Sequence, residues 1–458
     1  MAVSPVTLLV LGAGNRGRAY AKYARDNPNL AQVVAVAEPR PERRRVFSKP
    51  HHIPEELQFD DWRAPLARGK IADAVIIAIL FCFKFEREED WDIPRDGINT
   101  RIIQDNLHLE AVAEYSKQGY HILCEKPMAT NVADCIKMFQ EITRLSTPKV
   151  FGVGHVLRYS PYNQAVKDVI DSGALGEIIN IQHIEPVGSR HFAHSYVRGN
   201  WHKEADSTFA LMAKCCHDID ILSFYLSGLK PLKVHSFGSL SHFKKSKKPL
   251  EAGDAISCLD CPYESQCAWS AKKIYLETLG REVKQYSQKI VDAEIPDIEN
   301  VTAVLKSTAY GRCVYECDND VVDHQVVNIE YEGGVTASMT MSAFTESECF
   351  RGTRIQGTKG ELIGDMITFD VFDFADRTKK YYTPRQDGGN HGGGDRGIAE
   401  AFVASVANNR QEELRVTPRE ILDSHLLVFA AEKARREERV INFTQFEEDC
   451  MLGKDVGF

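Results

Sequence analysis

The sequence predicts an α/β protein in two parts: a doubly wound parallel sheet, followed by an α+β domain with an open, mostly antiparallel sheet. Three observations predict it. An apolar run, Val6–Leu11, passes straight into Gly12-Ala13-Gly14-Asn15-Arg16-Gly17 and a helix-like segment. Short apolar runs then alternate with helical periodicity as far as about residue 150, the pattern of a parallel sheet with both faces covered. From about residue 177 the strands lengthen and alternate in polarity, which suits a sheet with one face on a core and one toward water.

In the first part, strands are expected at Val6–Leu11, Val33–Ala37, Ala74–Ile79, His121–Cys124 and Val150–Val153, with helices at Arg16–Asn27, Asn106–Gln118 and Val132–Leu145. In the second, strands are expected at Ile178–Ile184, Leu232–Gly238, Gln325–Tyr331, Val335–Thr340, Thr353–Gly357 and Ile367–Phe372. One strong helix falls near Leu211–Leu226, and a glycine loop, Asp387–Asp395, leads into helices at Ile398–Ala407 and Pro418–Arg435. A chain of 458 residues exceeds what one core fills, and the change of texture divides it into domains 1–150 and 151–458. Residues 244–288, polar and Cys-containing, read as an excursion from the second sheet. Residues 80–103 intervene between the strand Ala74–Ile79 and its helix, with no clear period. So long a structureless loop is unusual inside a compact domain; it reads as a lid, an isoform feature or a gene-model error.

The glycine stretch has the chemistry of a dinucleotide site. Gly12 permits a tight turn, Gly14 lets backbone approach a pyrophosphate, and Gly17 lets helix and strand pack closely. The phosphates would rest on the unpaired N–H groups at the helix start. Glu38 ends the second apolar run, where a carboxylate accepts hydrogen bonds from ribose hydroxyls and repels a 2′-phosphate. NAD is therefore favoured over NADP, although Arg40, Arg43, Arg44 and Arg45 could pair with that phosphate.

A net charge of −9 offers no basic face for nucleic acid. No apolar run reaches membrane-span length, and the N-terminal residues lack signal-peptide features. Twelve cysteines in such a chain read as reduced thiols or metal ligands. The expected setting is the cytoplasm.

Cys124-Glu125-Lys126-Pro127, at the end of the fifth strand, is the next most specific motif. With the glycines, with Gly154-His155-Val156-Leu157-Arg158-Tyr159, with His217-Asp218-Ile219-Asp220 and with Gly357-Thr358-Lys359-Gly360-Glu361-Leu362, it resembles the Gfo/Idh/MocA family of NAD(P)-dependent oxidoreductases. The resemblance implies a Rossmann domain, a second sheet lining a substrate pocket, a sugar, polyol or related substrate, and a homodimer or homotetramer. It implies catalytic roles for Lys126 and His217: a hydride leaves an alcohol carbon as its hydroxyl proton is taken up, which a neighbouring cation and an imidazole assist. Gly12, Gly14, Asn15, Arg16, Gly17, Glu38, His108 and Glu125 would hold the cofactor. The acid usually found four residues before the histidine is replaced by Ala213, followed by Lys214-Cys215-Cys216.

Arg158, Tyr159 and His324 are candidates to reach substrate, and His391 in the glycine loop is a weaker one. Cys258, Cys261 and Cys267 have the spacing of zinc ligands. Three ligands do not close a structural site, so Cys313, Cys317 or a histidine would have to complete it. Two other functions fit the same features: a glycoside hydrolase that oxidises a sugar ring transiently, and an inactive nucleotide-binding sensor or scaffold.

Overall fold

The computed structural model describes residues 4–79, 107–280, 286–291, 295–388 and 391–457. The segment expected to be an insertion, 80–103, lies outside the described residues.

Six parallel strands form the first sheet: β1 (Val6–Leu11), β2 (Ala31–Ala37), β3 (Gln58–Phe59), β4 (Ala74–Ile77), β5 (His121–Cys124) and β6 (Phe151–Val153), in the order β3-β2-β1-β4-β5-β6. Every residue of β4 and β5 is buried, because a parallel sheet is covered on both faces. The cover is α1 (Asn15–Asp26), α2 (Pro41–His51), α3 (Leu107–Lys117) and α4 (Val132–Thr143). Strand order reverses between β1 and β4, so a crevice opens beyond their carboxyl ends, where ligands bind in doubly wound sheets.

The remaining helices are α5 (Pro161–Asp171), α6 (Ser189–Phe192), α7 (Ala210–Tyr225), α8 (Ser287–Ile290), α9 (Ile298–Ser307), α10 (Gly394–Asn408), α11 (Pro418–Glu437) and α12 (Phe443–Met451). They accompany a nine-stranded sheet: β7 (Ile178–Pro186), β8 (Pro231–Ser239), β9 (His324–Tyr331), β10 (Thr336–Ser342), β11 (Gly352–Gly357), β12 (Gly360–Gly364), β13 (Phe369–Asp373), β14 (Lys379–Tyr382) and β15 (Ile441–Asn442). All neighbours are antiparallel except β7 and β10, which run parallel in the centre. Alternation decides the faces: Ala337, Met339 and Met341 of β10 are buried while Thr336 is exposed. Helix α7 packs on β10 and β7 and is covered by α11. Every residue of α7 except Ser223 is consequently buried.

Most expected elements are present with ends moved by a few residues. The exceptions are short or polar. β3, β12, β14 and β15 and helices α2, α5, α6, α8, α9 and α12 were not anticipated, and the excursion at 244–288 holds only short helical turns and one isolated bridge residue, Ser257, among its described residues. The C-terminal helices return to the first sheet: α10 packs on α1 and α11 on α4. Helix α11 starts from a reciprocal cap between Thr417 and Glu420, which satisfies otherwise orphaned N–H groups.

Candidate active site

The glycine loop is shaped by close backbone approach. Gly12 has φ of +93°, and a Cβ there would meet the Ala78 carbonyl oxygen at 2.3 Å. A Cβ on Gly17 would lie 1.9 Å from the carbonyl oxygen of Gly12. Gly14 is different, for a Cβ there would meet nothing within 4 Å. It faces open space, and α1 starts beside it with no side-chain cap on its N–H groups, so the residues fit a pyrophosphate. Gly14→Ala is accordingly expected to unfold at the wild-type temperature yet bind NADH roughly tenfold or more weakly, since only ligand occupies that space. Gly17→Ala should lose both stability and binding. Thermal unfolding with and without NADH checks the contrast, and equal behaviour of the two variants would refute it.

Glu38 is buried just beyond β2; its Oε2 accepts the Ala13 N–H at 2.9 Å and its Oε1 the Arg40 Nε–H at 2.7 Å. Burial alone would raise its pKa, but the hydrogen bonds and charge of Arg40 hold the carboxyl below its ordinary range. Asn15 is exposed at the start of α1. Arg16 and Glu125 are joined to each other, Nε to Oε1 at 2.7 Å, and Arg16 Nη1 reaches Asp395 Oδ1 of α10 at 2.8 Å. The Tyr20 hydroxyl also donates to Glu125. This group ties α1, the end of β5 and α10 together beneath the crevice.

Lys126 follows β5, and its Nζ donates to the Ala213 carbonyl of α7 at 2.6 Å. Thus, where the resemblance implies a carboxylate, this chain presents a main-chain carbonyl. The Lys126–Pro127 bond is cis, and the turn is held on both sides: His108 Nδ1 lies 2.9 Å from the Pro127 carbonyl, and the Met128 N–H donates to His425 Nε2 at 2.9 Å.

Beside Lys126 four imidazoles gather. The His155 ring centroid lies 6.0 Å from that of His217 and 5.0 Å from that of His425, and His391 lies 5.5 Å from His217. His217 Nδ1 and both nitrogens of His155 are buried without a partner. Burial, then the charges of Lys126 and the neighbouring imidazoles, push the His217 pKa well below its ordinary value. Burial likewise lowers His155 and pushes His425 down to about 3. His391 is also lowered by burial, against the pull of Asp395, whose Oδ1 is 3.0 Å from its Nδ1. At neutral pH the cluster is therefore uncharged, and His217 is in the form that accepts a proton.

A buried network of ion pairs backs α7. Asp218 Oδ1 receives His183 Nε2 at 3.0 Å and Arg351 Nε at 2.9 Å; Arg351 Nε is 2.6 Å from Glu185, and Lys214 Nζ is 3.2 Å from Glu185. Lys214 is buried.

The three substrate candidates each have a partner within the chain. Arg158 is buried and bidentate to Asp220, at 2.7 and 2.8 Å, so its donors face an acid of α7. The Tyr159 hydroxyl donates to the Leu414 carbonyl at 2.7 Å, in the packing near α10. His324 opens β9 on the face opposite buried Gln325, and its Nδ1 is 2.9 Å from Asp323. The three-residue zinc turn is not closed as placed. Among the described residues, no group of three or more His, Cys, Asp or Glu is placed to hold a metal ion; Cys258, Cys261 and Cys267 are free thiols around the wall of a small cavity. The sequence reading gave His155 and His425 no role. His155 stood within a quoted motif, whereas nothing local marked His425.

A glycine loop at a strand-order reversal, with a lysine from the end of β5 and a neutral histidine on α7 beside it, defines a dinucleotide-dependent oxidoreductase. Residues 6–155 match the family model described as "Oxidoreductase family, NAD-binding Rossmann fold", and residues 167–443 match its C-terminal alpha/beta domain. The chain belongs to the Gfo/Idh/MocA oxidoreductase family. It is 25% identical over 312 residues to YteT of Bacillus subtilis (strain 168), a protein named as an oxidoreductase, spanning 64% of this chain and 68% of that one. It is 23% identical over 235 residues to the 2,7-anhydro-N-acetylneuraminate hydratase of Escherichia coli (strain K12), spanning 51% of this chain and 53% of that protein. Among solved structures it superposes on a levoglucosan dehydrogenase in complex with NADH and levoglucosan with a TM-score of 0.66 at 17% identity, covering 96% of this chain and all of that one.

Proposed function

We propose that this enzyme moves a hydride between nicotinamide and a hydroxyl or carbonyl of a sugar, polyol or sugar derivative. The observation that carries it is the meeting of Lys126 with uncharged His217 on α7, at the mouth of a dinucleotide crevice. Bound NAD supplies the hydride acceptor. Lys126 Nζ polarises the substrate oxygen, His217 takes up the hydroxyl proton, and Asp395 orients His391 behind it. The paired network on Asp218 and Asp220 holds α7 still while this happens, and its acids are spent on Arg351, His183 and Arg158 rather than on substrate. Incubation with NAD and a panel of sugars and polyols, read by nicotinamide absorbance, tests the assignment; absence of turnover with NADH binding intact would favour a sensor or scaffold.

A second reading is favoured by Ala213 in place of the helix acid and by similarity to a hydratase. In it the cofactor stays bound and a sugar bond is cleaved or hydrated with no net oxidation. Product formed without accumulating NADH would mark that outcome.

The cofactor is proposed to be NAD. Glu38 presents a buried carboxylate where a ribose would lie, and Arg40 is already committed to it. Glu38→Ala should weaken NADH about tenfold through lost hydrogen bonds and, by freeing Arg40, improve NADPH relative to NADH. Fluorescence titrations with both nucleotides check this, and an unchanged preference would overturn it. Among the described residues no helix is long and apolar enough to cross a membrane. We place the enzyme in the cytoplasm as a homodimer or homotetramer, supported by the open face of the second sheet, where Gln182, Ile184 and Arg354 point outward.

A further inference from the structure

The excursion from the second sheet brings four cysteines to one place. Cys258, Cys261, Cys267 and Cys313 all line a single cavity of about 10 Å³, room for one water or one ion. Two come from a rigid rung: Ser257 pairs with Arg312 as an antiparallel bridge, the Cys258 N–H donates to Gly311 at 2.9 Å, and the Cys313 N–H donates to Ile256 at 2.8 Å. The other two lie on the turn that follows, where the Glu264 N–H donates to the Cys261 carbonyl at 3.2 Å and the Cys267 N–H to the Tyr263 carbonyl at 3.1 Å. Residues 46 or more positions apart are thus brought together by hydrogen-bonded backbone, which is how structural metal sites are framed.

The second observation is Arg198, which lines the same cavity and is 3% exposed. Its donors go to the carbonyls of Arg312 and Trp269, at 2.8 and 2.7 Å, and to Cys258 Sγ at 3.4 Å. Its Nη1 has no partner, and among the described residues it makes no ion pair with a carboxylate. A buried guanidinium without a counter-charge is costly. Four thiolates around a divalent ion carry a net double negative charge, which would supply the missing anion next to that guanidinium.

We propose that Cys258, Cys261, Cys267 and Cys313 form a four-thiolate site for a soft divalent metal, zinc foremost, with Arg198 as its outer counter-charge. Cys313 supplies the fourth ligand that the motif lacked, and Cys317 is left out. As placed, the sulfurs surround the cavity without converging, so binding requires the cysteine side chains to rotate inward, each losing its thiol proton to solvent as its bond to the metal forms. The site is structural: it pins the excursion to the segment before β9 and takes no part in hydride transfer.

The test is the metal content of the purified full chain after dialysis against EDTA, with native thiols counted by Ellman's reagent. About one zinc per chain is expected, with cobalt replacement giving thiolate charge-transfer absorption. Cys261→Ser and Cys267→Ser should lower the metal content, while Cys317→Ser should leave it unchanged. A wild-type chain that retains no metal and exposes these thiols to the reagent would overturn the proposal, as would Cys267→Ser retaining the full amount. The readout does not depend on turnover, so it stands or falls apart from the proposed reaction.

Discussion

Lys126→Ala should bind NADH as the wild type does and lose a factor of about 10²–10⁴ in kcat, the range for removing a positioned acid–base group. The glycine loop and Glu38 do not touch the Lys126 amine, whose one hydrogen bond among the described residues runs to Ala213 of α7. Losing that bond costs about 1 kcal/mol of stability, too little to unfold the chain. What disappears is the only cation this turn directs at α7, and with it the polarisation of the substrate oxygen. His217, with its pKa held low by burial and in part by the charge of Lys126, should become easier to protonate, so residual activity should fall away at a higher pH on the acid side than in the wild type. The measurement is kcat against pH for both proteins, with nicotinamide fluorescence as the binding control. Wild-type kcat in the variant would remove Lys126 from the mechanism.

What the sequence disclosed was local. The glycine loop, Glu38 and Lys126 could be read because each chemical role depends on a turn or a strand end that neighbouring residues specify. The network behind α7 could not be, because α7 lies between a sheet and α11 and is buried on all sides. Such a helix has no polar stripe, so Lys214, Asp218 and Asp220 look like surface charges in the sequence. Their partners are remote: Arg158 is 62 residues from Asp220, and Asp218 meets Arg351 across 133. His324 turned on strand parity, which a single strand leaves even. The histidine cluster needed α10 and α11 to fold back over the first sheet, a return that pairs Arg16 with Asp395 over 379 residues. The cysteine turn was legible as chemistry, but which remote cysteine lies beside it was not, since Cys313 comes from a separate segment.

Asp220→Ala should cost about 3–5 kcal/mol of stability, the loss expected when one partner of a buried pair is removed. The Asp220 side chain is fully buried and that of Arg158 nearly so, so the variant strands a guanidinium where water cannot reach it. Replacing both, as Arg158→Met with Asp220→Leu, removes the charge along with its partner and should recover most of the loss, because desolvating the pair offsets much of its attraction. The pH dependence has a defined sign. Burial would raise the Asp220 pKa, but Arg158 and His155 hold it below the ordinary value. A lowered folded pKa gives stability that is present above the unfolded carboxylate value of about 3.9 and lost as pH falls through the folded one. The gap between wild type and variant should therefore be constant near neutrality and narrow only in acid. Urea unfolding from pH 7 to pH 3 measures it, and a variant as stable as the wild type at pH 7 would show that the pair does not anchor α7. If it does anchor the helix, the single variant should also lose kcat at temperatures where it remains folded, since Ala213 and His217 ride on the same helix, and the double variant should regain stability before it regains rate.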